Sequence, residues 1–189
     1  MRRLAPLLAL CLAAGGAASE TPAPAPFPIA LGGPFTLTDQ SGAPRTEAAP
    51  GADLQLVFFG YANCRSICAV ALPTMAAAAD TLAAGGIDAR PVMITVDPDH
   101  DTVATIGPPL ARFHPAFEGL TGSAADLKPV YDLFAVEHEV LFTDPSGQPV
   151  YAHGSHIYLL DGDGAFLTLL PPILGLDRIA EIAKGYVRR

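Results

Sequence analysis

Apolar positions along the chain fall into short blocks set off by Gly, Pro, Asn and Asp, and each block predicts an element. Residues 35–38 (Phe-Thr-Leu-Thr) alternate as a short strand after a Gly32-Gly33 turn; residues 39–42 turn the chain and 44–53 read as loop. The run 54–59, Leu-Gln-Leu-Val-Phe-Phe, is apolar, aromatic and β-branched, the pattern of a buried strand. Gly60 and Asn63 break it, and an alanine-rich helix follows to about Ala84, with Pro73 expected to bend or interrupt it and Gly85-Gly86 as its stop. Residues 91–96 form a second buried strand, and 102–113 a helix weakened by Pro108-Pro109. Ser123 caps a helix over 124–134, residues 136–142 read as a strand, and 143–148 as a polar turn. Residues 156–160 and 165–169 make a hairpin about Asp161-Gly162-Asp163-Gly164, and an amphipathic helix closes the chain over 176–187.

This order of strands and helices predicts an α/β fold: a mixed central sheet flanked by helices, on a single-domain thioredoxin-like plan. The length of 189 residues suits one domain with a full core and a short extra segment. The start of the chain reads differently. Arg2-Arg3, an apolar run over 4–14 and small residues over 15–19 have the three-part layout of a secretory signal. The run falls short of the ~20 apolar residues a spanning helix needs, which favours a cleaved signal over a retained anchor. Cys11 follows Leu8-Ala9-Leu10, and Leu10 is too large for the small residue that precedes a lipidated cysteine. The expected organisation is a signal over 1–19, a Pro/Ala-rich linker over 20–28 and the domain over 29–189. The expected location is periplasmic, with tethering to the inner membrane as the alternative. Net charge of −8 becomes −10 once Arg2 and Arg3 leave, which makes nucleic acid a poor partner.

The chemistry concentrates at the carboxyl end of the central strand, where α/β sheets place their sites. Cys64 and Cys68 stand there four residues apart, a spacing that puts both sulfurs on one face of a helix. Such a pair either closes a disulfide after modest rearrangement or holds one soft metal ion. A helix N-terminus and Arg65 between the cysteines both favour a thiolate. As a structural staple the pair is poor, because the loop it closes is very small. Asp97, Asp99 and Asp101 invite a calcium reading, but Pro98 and the lack of Gly at the sixth position argue against an EF-hand loop. Asp97 is expected at a strand end near the cysteines, capping the next helix or contacting a partner. His100 and His114 read as surface residues and Met75 as core; Tyr61 and Tyr151 either line the site or are simply buried.

In this order and spacing, several stretches resemble the Sco/SenC family, the copper-handling assembly factors of cytochrome c oxidase. Residues 33–39 (Gly-Pro-Phe-Thr-Leu-Thr-Asp) are similar to the family's opening strand, and Phe59-Gly60-Tyr61 followed by Cys64-x-x-x-Cys68 to its metal-binding loop. Residues 96–102 (Val-Asp-Pro-Asp-His-Asp-Thr) and Leu120-Thr121-Gly122 recur downstream, and His153 stands five residues before Tyr158, where the family places a metal-binding histidine. The resemblance spans roughly residues 33–186. It implies a metal site of Cys64, Cys68 and His153, with His156 a weaker competitor. Arg65 and Ala69 stand where the family favours Pro, and Ala152 where it often has an Asp able to orient the histidine. Two thiolates and one imidazole suit Cu(I), or Cu(II) with a further oxygen or nitrogen ligand, whereas a closed zinc site wants a fourth protein ligand.

The function the resemblance implies is copper delivery to the dinuclear copper site of cytochrome c oxidase. Its partners would be the oxidase's copper-bearing subunit and other periplasmic copper carriers or thiol reductants. The alternative is a thiol-disulfide oxidoreductase, in which Cys64 attacks a partner disulfide and Cys68 resolves the mixed disulfide. A peroxidase reading lacks its Pro/Thr/Cys signature.

Overall fold

The computed structural model describes residues 30–64 and 66–187. The leader and linker read from the sequence, and the charge of Arg65, lie outside the described residues. In chain order the elements are β1 (Thr36–Asp39), β2 (Pro44–Thr46), β3 (Leu54–Gly60), α1 (Cys68–Ala83), β4 (Ala89–Thr95), α2 (Val103–Leu110), β5 (Glu118–Thr121), α3 (Ala124–Leu133), β6 (His138–Thr143), β7 (Pro149–His153), β8 (Ile157–Asp161), β9 (Phe166–Leu170) and α4 (Leu176–Tyr186).

Seven strands form a mixed sheet in the order β2-β1-β5-β4-β3-β8-β9. Strands β3, β4 and β5 run parallel; β8 is antiparallel to β3, and β1 to β5. Every residue of β3 is buried, which is why its sequence is a near-continuous apolar run rather than an alternation. Leu54, Leu56 and Phe58 face one layer with Leu72, Met75 and Leu82 of α1 and Ile179 and Ala183 of α4. Val57 and Phe59 face the other, against Leu127, Val130 and Tyr131 of α3 and Phe134 beyond it. Burying each Leu or Phe side chain contributes about 1.5–3 kcal/mol, so the sheet centre is the most strongly held part of the molecule. This is the expected thioredoxin-like plan, with helices on both faces of a mixed sheet.

Four local readings change. Helix α1 continues through Pro73; the bond that proline forfeits is to the carbonyl of Ala69, an exposed residue that water can serve. Helix α2 stops at Leu110, just after Pro108 and Pro109, rather than near Phe113. Residues 44–46, read as loop, pair as β2 along the free edge of β1. Residues 149–153, left without an element, form β7 and pair with β6 as a separate two-stranded ribbon. That ribbon departs from the main sheet and carries His153 back to it at the end of β7.

Candidate metal centre

Strand β3 ends at Gly60, and the chain turns through Tyr61, Ala62 and Asn63 to Cys64, whose N–H donates to the Tyr61 carbonyl (3.0 Å). A buried carboxylate pins this turn. Asp101 Oδ2 accepts from the Ala62 N–H (3.0 Å) and from the Thr95 hydroxyl (2.8 Å), while the Asp101 carbonyl accepts from the Thr121 hydroxyl (2.6 Å). Burial raises the pKa of Asp101, and the bonds from Thr95 and Ala62 oppose that rise. Asp97 lies at the end of β4 as expected but does not cap α2. Its Oδ1 accepts from the Tyr151 hydroxyl (3.1 Å) and pairs with His100 Nδ1 (2.8 Å), which holds His100 above the ordinary histidine value. Thr102 caps the helix instead, its N–H donating to the Thr105 hydroxyl (2.8 Å). The aspartates form no metal-holding group among the described residues.

The two cysteines do not share a helix face. Cys68 is the first residue of α1, and Cys64 lies in the turn before it; the turn, not helical periodicity, brings the sulfurs together. Both are free thiols, Cys64 half-buried and Cys68 only 1 % exposed. Gly60 makes the close approach possible, since a Cβ there would stand 3.0 Å from the Cys68 sulfur and 2.9 Å from the Phe58 ring. The pair holds one proton between its two sulfurs. The Cys68 thiol donates to Cys64 and, with the Ser66 hydroxyl and the Cys68 N–H, brings Cys64 down to about 3 against the opposing effect of burial. His153 adds to this when its Nε2 carries a proton. The same bond, with burial, pushes the Cys68 thiol up. The thiolate favoured by the start of the helix is therefore Cys64, reached by the first amide of α1.

His153, the last residue of β7, completes the group. Its Nε2 is 3.7 Å from the Cys64 sulfur and 3.8 Å from that of Cys68, and the three ligand atoms lie within 4.8 Å of one another. The ring stands edge-on to Phe58 (5.8 Å between centroids) and Tyr61 (5.7 Å). A carbonyl only accepts, so the 3.0 Å contact from Nδ1 to the Gly154 carbonyl places a proton on Nδ1 and leaves the Nε2 lone pair facing the sulfurs. Ala152 removes a carboxylate partner, and the backbone one residue beyond His153 orients the ring in its place.

The other candidates fall elsewhere. His156 is exposed and outside the group, His114 pairs with Asp80 (3.2 Å), and Met75 is fully buried in the core. Tyr61 does line the site, its ring edge-on to that of His153, whereas Tyr151 lies behind it: the two tyrosine rings meet at 5.2 Å, and burial, then the Asp97 charge, pushes Tyr151 up to about 12. The sequence reading passed over His138. It is the cross-strand partner of His153, a relation that only the β6–β7 register reveals.

The SCO1/SenC family model matches residues 23–188. The SCO2-like protein of Rickettsia felis is 36 % identical over 158 residues, covering 83 % of this chain and 77 % of that one. Protein SCO1, mitochondrial, of Saccharomyces cerevisiae is 33 % identical over 166 residues, covering 83 % of this chain and 55 % of the yeast protein. Two solved structures superpose well: Arabidopsis thaliana ScoI with copper bound (TM-score 0.76, 30 % identity, 82 % of this chain and 98 % of that one) and Bradyrhizobium japonicum ScoI with copper bound (0.73, 31 %, 83 % and 99 %). A family match along nearly the whole domain, on a fold that gathers two thiols and an imidazole, supports one conclusion: this chain belongs to the SCO1/SenC family.

Proposed function

We propose that this chain is a copper carrier that helps metallate the dinuclear copper site of a cytochrome c oxidase, with Cys64, Cys68 and His153 as the ligands. The observation that carries the reading is the convergence of two sulfurs and a lone-pair nitrogen within 4.8 Å of one another. Such a soft, low-coordinate set suits Cu(I), leaves room for a further ligand on Cu(II), and lacks the fourth residue a closed zinc site uses. Relatives solved with copper bound support the same metal. An open coordination position is what a carrier needs, since the recipient's ligand must reach the ion before the carrier lets go. The reading includes export by the segment 1–19, a spacer over 20–28 and a domain over 29–189 working in the periplasm beside the oxidase's copper-bearing subunit.

The test is copper binding by the reduced protein with and without His153→Ala. Cu(I) is followed by competition with a chelator and Cu(II) by the sulfur-to-copper charge-transfer band. One ion per chain, with affinity falling about 10–100-fold in the variant, supports the proposal; weak binding indifferent to His153 defeats it.

One observation favours a second reading. Cys64 is half-buried with its pKa lowered to about 3, while Cys68 is buried and keeps its proton, which is the division between an attacking and a resolving thiol. The Cys64 thiolate would attack a partner disulfide, releasing one partner thiolate. The Cys68 sulfur, losing its proton, would then displace the second and close a Cys64–Cys68 disulfide. The partner gains two electrons, and an external thiol reductant must return them. Exchange that survives His153→Ala while copper binding fails would assign the protein to this role.

A further inference from the structure

Strand β7 pairs only with β6, so no main-chain ladder ties the strand that carries His153 to the large sheet. Side chains must therefore set how far its imidazole stands from the sulfurs. Among the described residues, and apart from His153 itself, the hydrogen bonds that hold β7 to the body of the domain both come from Tyr151. Its hydroxyl donates to Asp97 Oδ1 (3.1 Å), and its N–H donates to the Tyr61 hydroxyl (3.4 Å). Tyr151 stands two residues before His153, so the two side chains project from the same face of the strand. Tyr61 lies against both rings, 5.2 Å from that of Tyr151 and 5.7 Å from that of His153 between centroids.

The far end of the Tyr151 bond is itself fixed. Asp97 is only 2 % exposed, and its N–H donates to the Thr95 hydroxyl (2.9 Å), which in turn donates to Asp101 Oδ2 (2.8 Å). Asp101 is the carboxylate that holds the Ala62 N–H of the cysteine turn. One stretch of chain, 95–101, thus grips both halves of the site: the cysteine turn through Asp101 and the ribbon through Asp97. The bond from His153 Nδ1 to the Gly154 carbonyl does a different job, because it orients the ring within its own strand and cannot place that strand against the sheet.

We propose that Tyr151 and Asp97 are positioning residues for the metal centre: their hydrogen bond seats the β6–β7 ribbon so that His153 Nε2 meets the two sulfurs. The inference rests on the copper-carrier reading above. A hydrogen bond to a carboxylate is stronger than one between neutral groups, which suits it to hold a ribbon that has no ladder to the sheet.

Tyr151→Phe deletes the hydroxyl alone: the ring can keep its packing on Tyr61, and Asp97 keeps His100 as a partner (2.8 Å). The reduced chain is titrated with Cu(I) against a chelator, with Tyr151→Phe made alone and together with His153→Ala. Affinity is expected to fall about tenfold in Tyr151→Phe and in Asp97→Ala, within the range set by groups that orient a metal ligand. Adding Tyr151→Phe to His153→Ala is expected to cost nothing more, because a residue that acts through the imidazole then has nothing left to place. Unchanged affinity in Tyr151→Phe overturns the proposal, and so does an equal loss in the absence of His153, which would mark a general loosening of the site. A second readout needs no metal. Phe58 and Tyr61 stand edge-on to the His153 ring, so its proton resonances are displaced from those of a free histidine, and Tyr151→Phe is expected to move them back toward free values. Resonances that stay in place overturn the seating. A parent chain that binds no copper counts against the copper-carrier reading instead, and the resonances still decide whether Tyr151 seats His153.

Discussion

At Gly60 the requirement is space rather than backbone freedom: a methyl group there points at the Cys68 sulfur 3.0 Å away, with the Phe58 ring closing the other side. Overpacking of this kind costs about 1–3 kcal/mol, and the side chain free to give way is the proposed ligand itself. Gly60→Ala is therefore expected to weaken copper binding by more than its modest loss of thermal stability implies; a variant with unchanged affinity would show that Cys68 is not held where the pocket needs it. The neighbouring thiol makes a prediction in pH. Cys64 lies at about 3, so its thiolate persists as pH falls from 8 to 5, whereas an ordinary thiol near 8.5 loses about tenfold in thiolate per pH unit. Alkylation of the metal-free, reduced protein should then be nearly flat over that range at one cysteine and negligible at the other. A rate that climbs steeply toward pH 8 would mean that the proton is not shared as described. At this scale the two cysteines were legible, because a thiol pair at a strand-to-helix turn has few ordinary uses. His153 was reached only through the family resemblance, and the Gly154 carbonyl that aims its ring carries no side-chain signal at all.

The β6–β7 ribbon was the least legible element and the most consequential one. Strand β7 is only five residues long and pairs with β6 alone, so Pro149 and its neighbours give no core-facing run to read. Val140, Leu141 and Phe142 of β6 are all more than half exposed, with a register shift between Val140 and Phe142, so an apolar strand here does not mean a buried one. The strands that do fill the core, β3 and β4, were found within two residues of their ends because burial on both faces leaves an unambiguous run. The ribbon is organised by its turn: Asp144 Oδ1 accepts from Ser146 N (2.8 Å), Ser146 Oγ (2.6 Å) and Gln148 N (3.0 Å). Asp144→Ala should raise hydrogen exchange across β6 and β7 while leaving β3 and β4 as they are, and lower copper affinity severalfold through a less fixed His153. Faster exchange in β3 as well would show that the ribbon is part of the core's cooperative unit and that the loss is global.

For the whole molecule the decisive fact is where the proposed ligands sit in the chain. Cys64 and Cys68 are near neighbours in sequence, but His153 lies 85 residues beyond Cys68 and reaches the sulfurs only when the ribbon folds back against β3. An unfolded chain can still grip copper through its two cysteines; it has no means of adding the imidazole. Copper therefore stabilises the fold only by the difference between these two grips. A ligand confined to the folded state adds about 2.7 kcal/mol at one hundred times its Kd, which for a domain of this size raises Tm by about 5–10 °C. Because binding through the cysteines cancels in part, His153→Ala should lose most of this shift even at copper concentrations that keep the variant loaded. Thermal scans of the reduced protein with saturating Cu(I), for both chains, measure this directly. A variant that keeps the full shift would mean that folding is linked to the cysteines alone, and that His153 is a bystander to the metal rather than the residue that ties the metal to the fold.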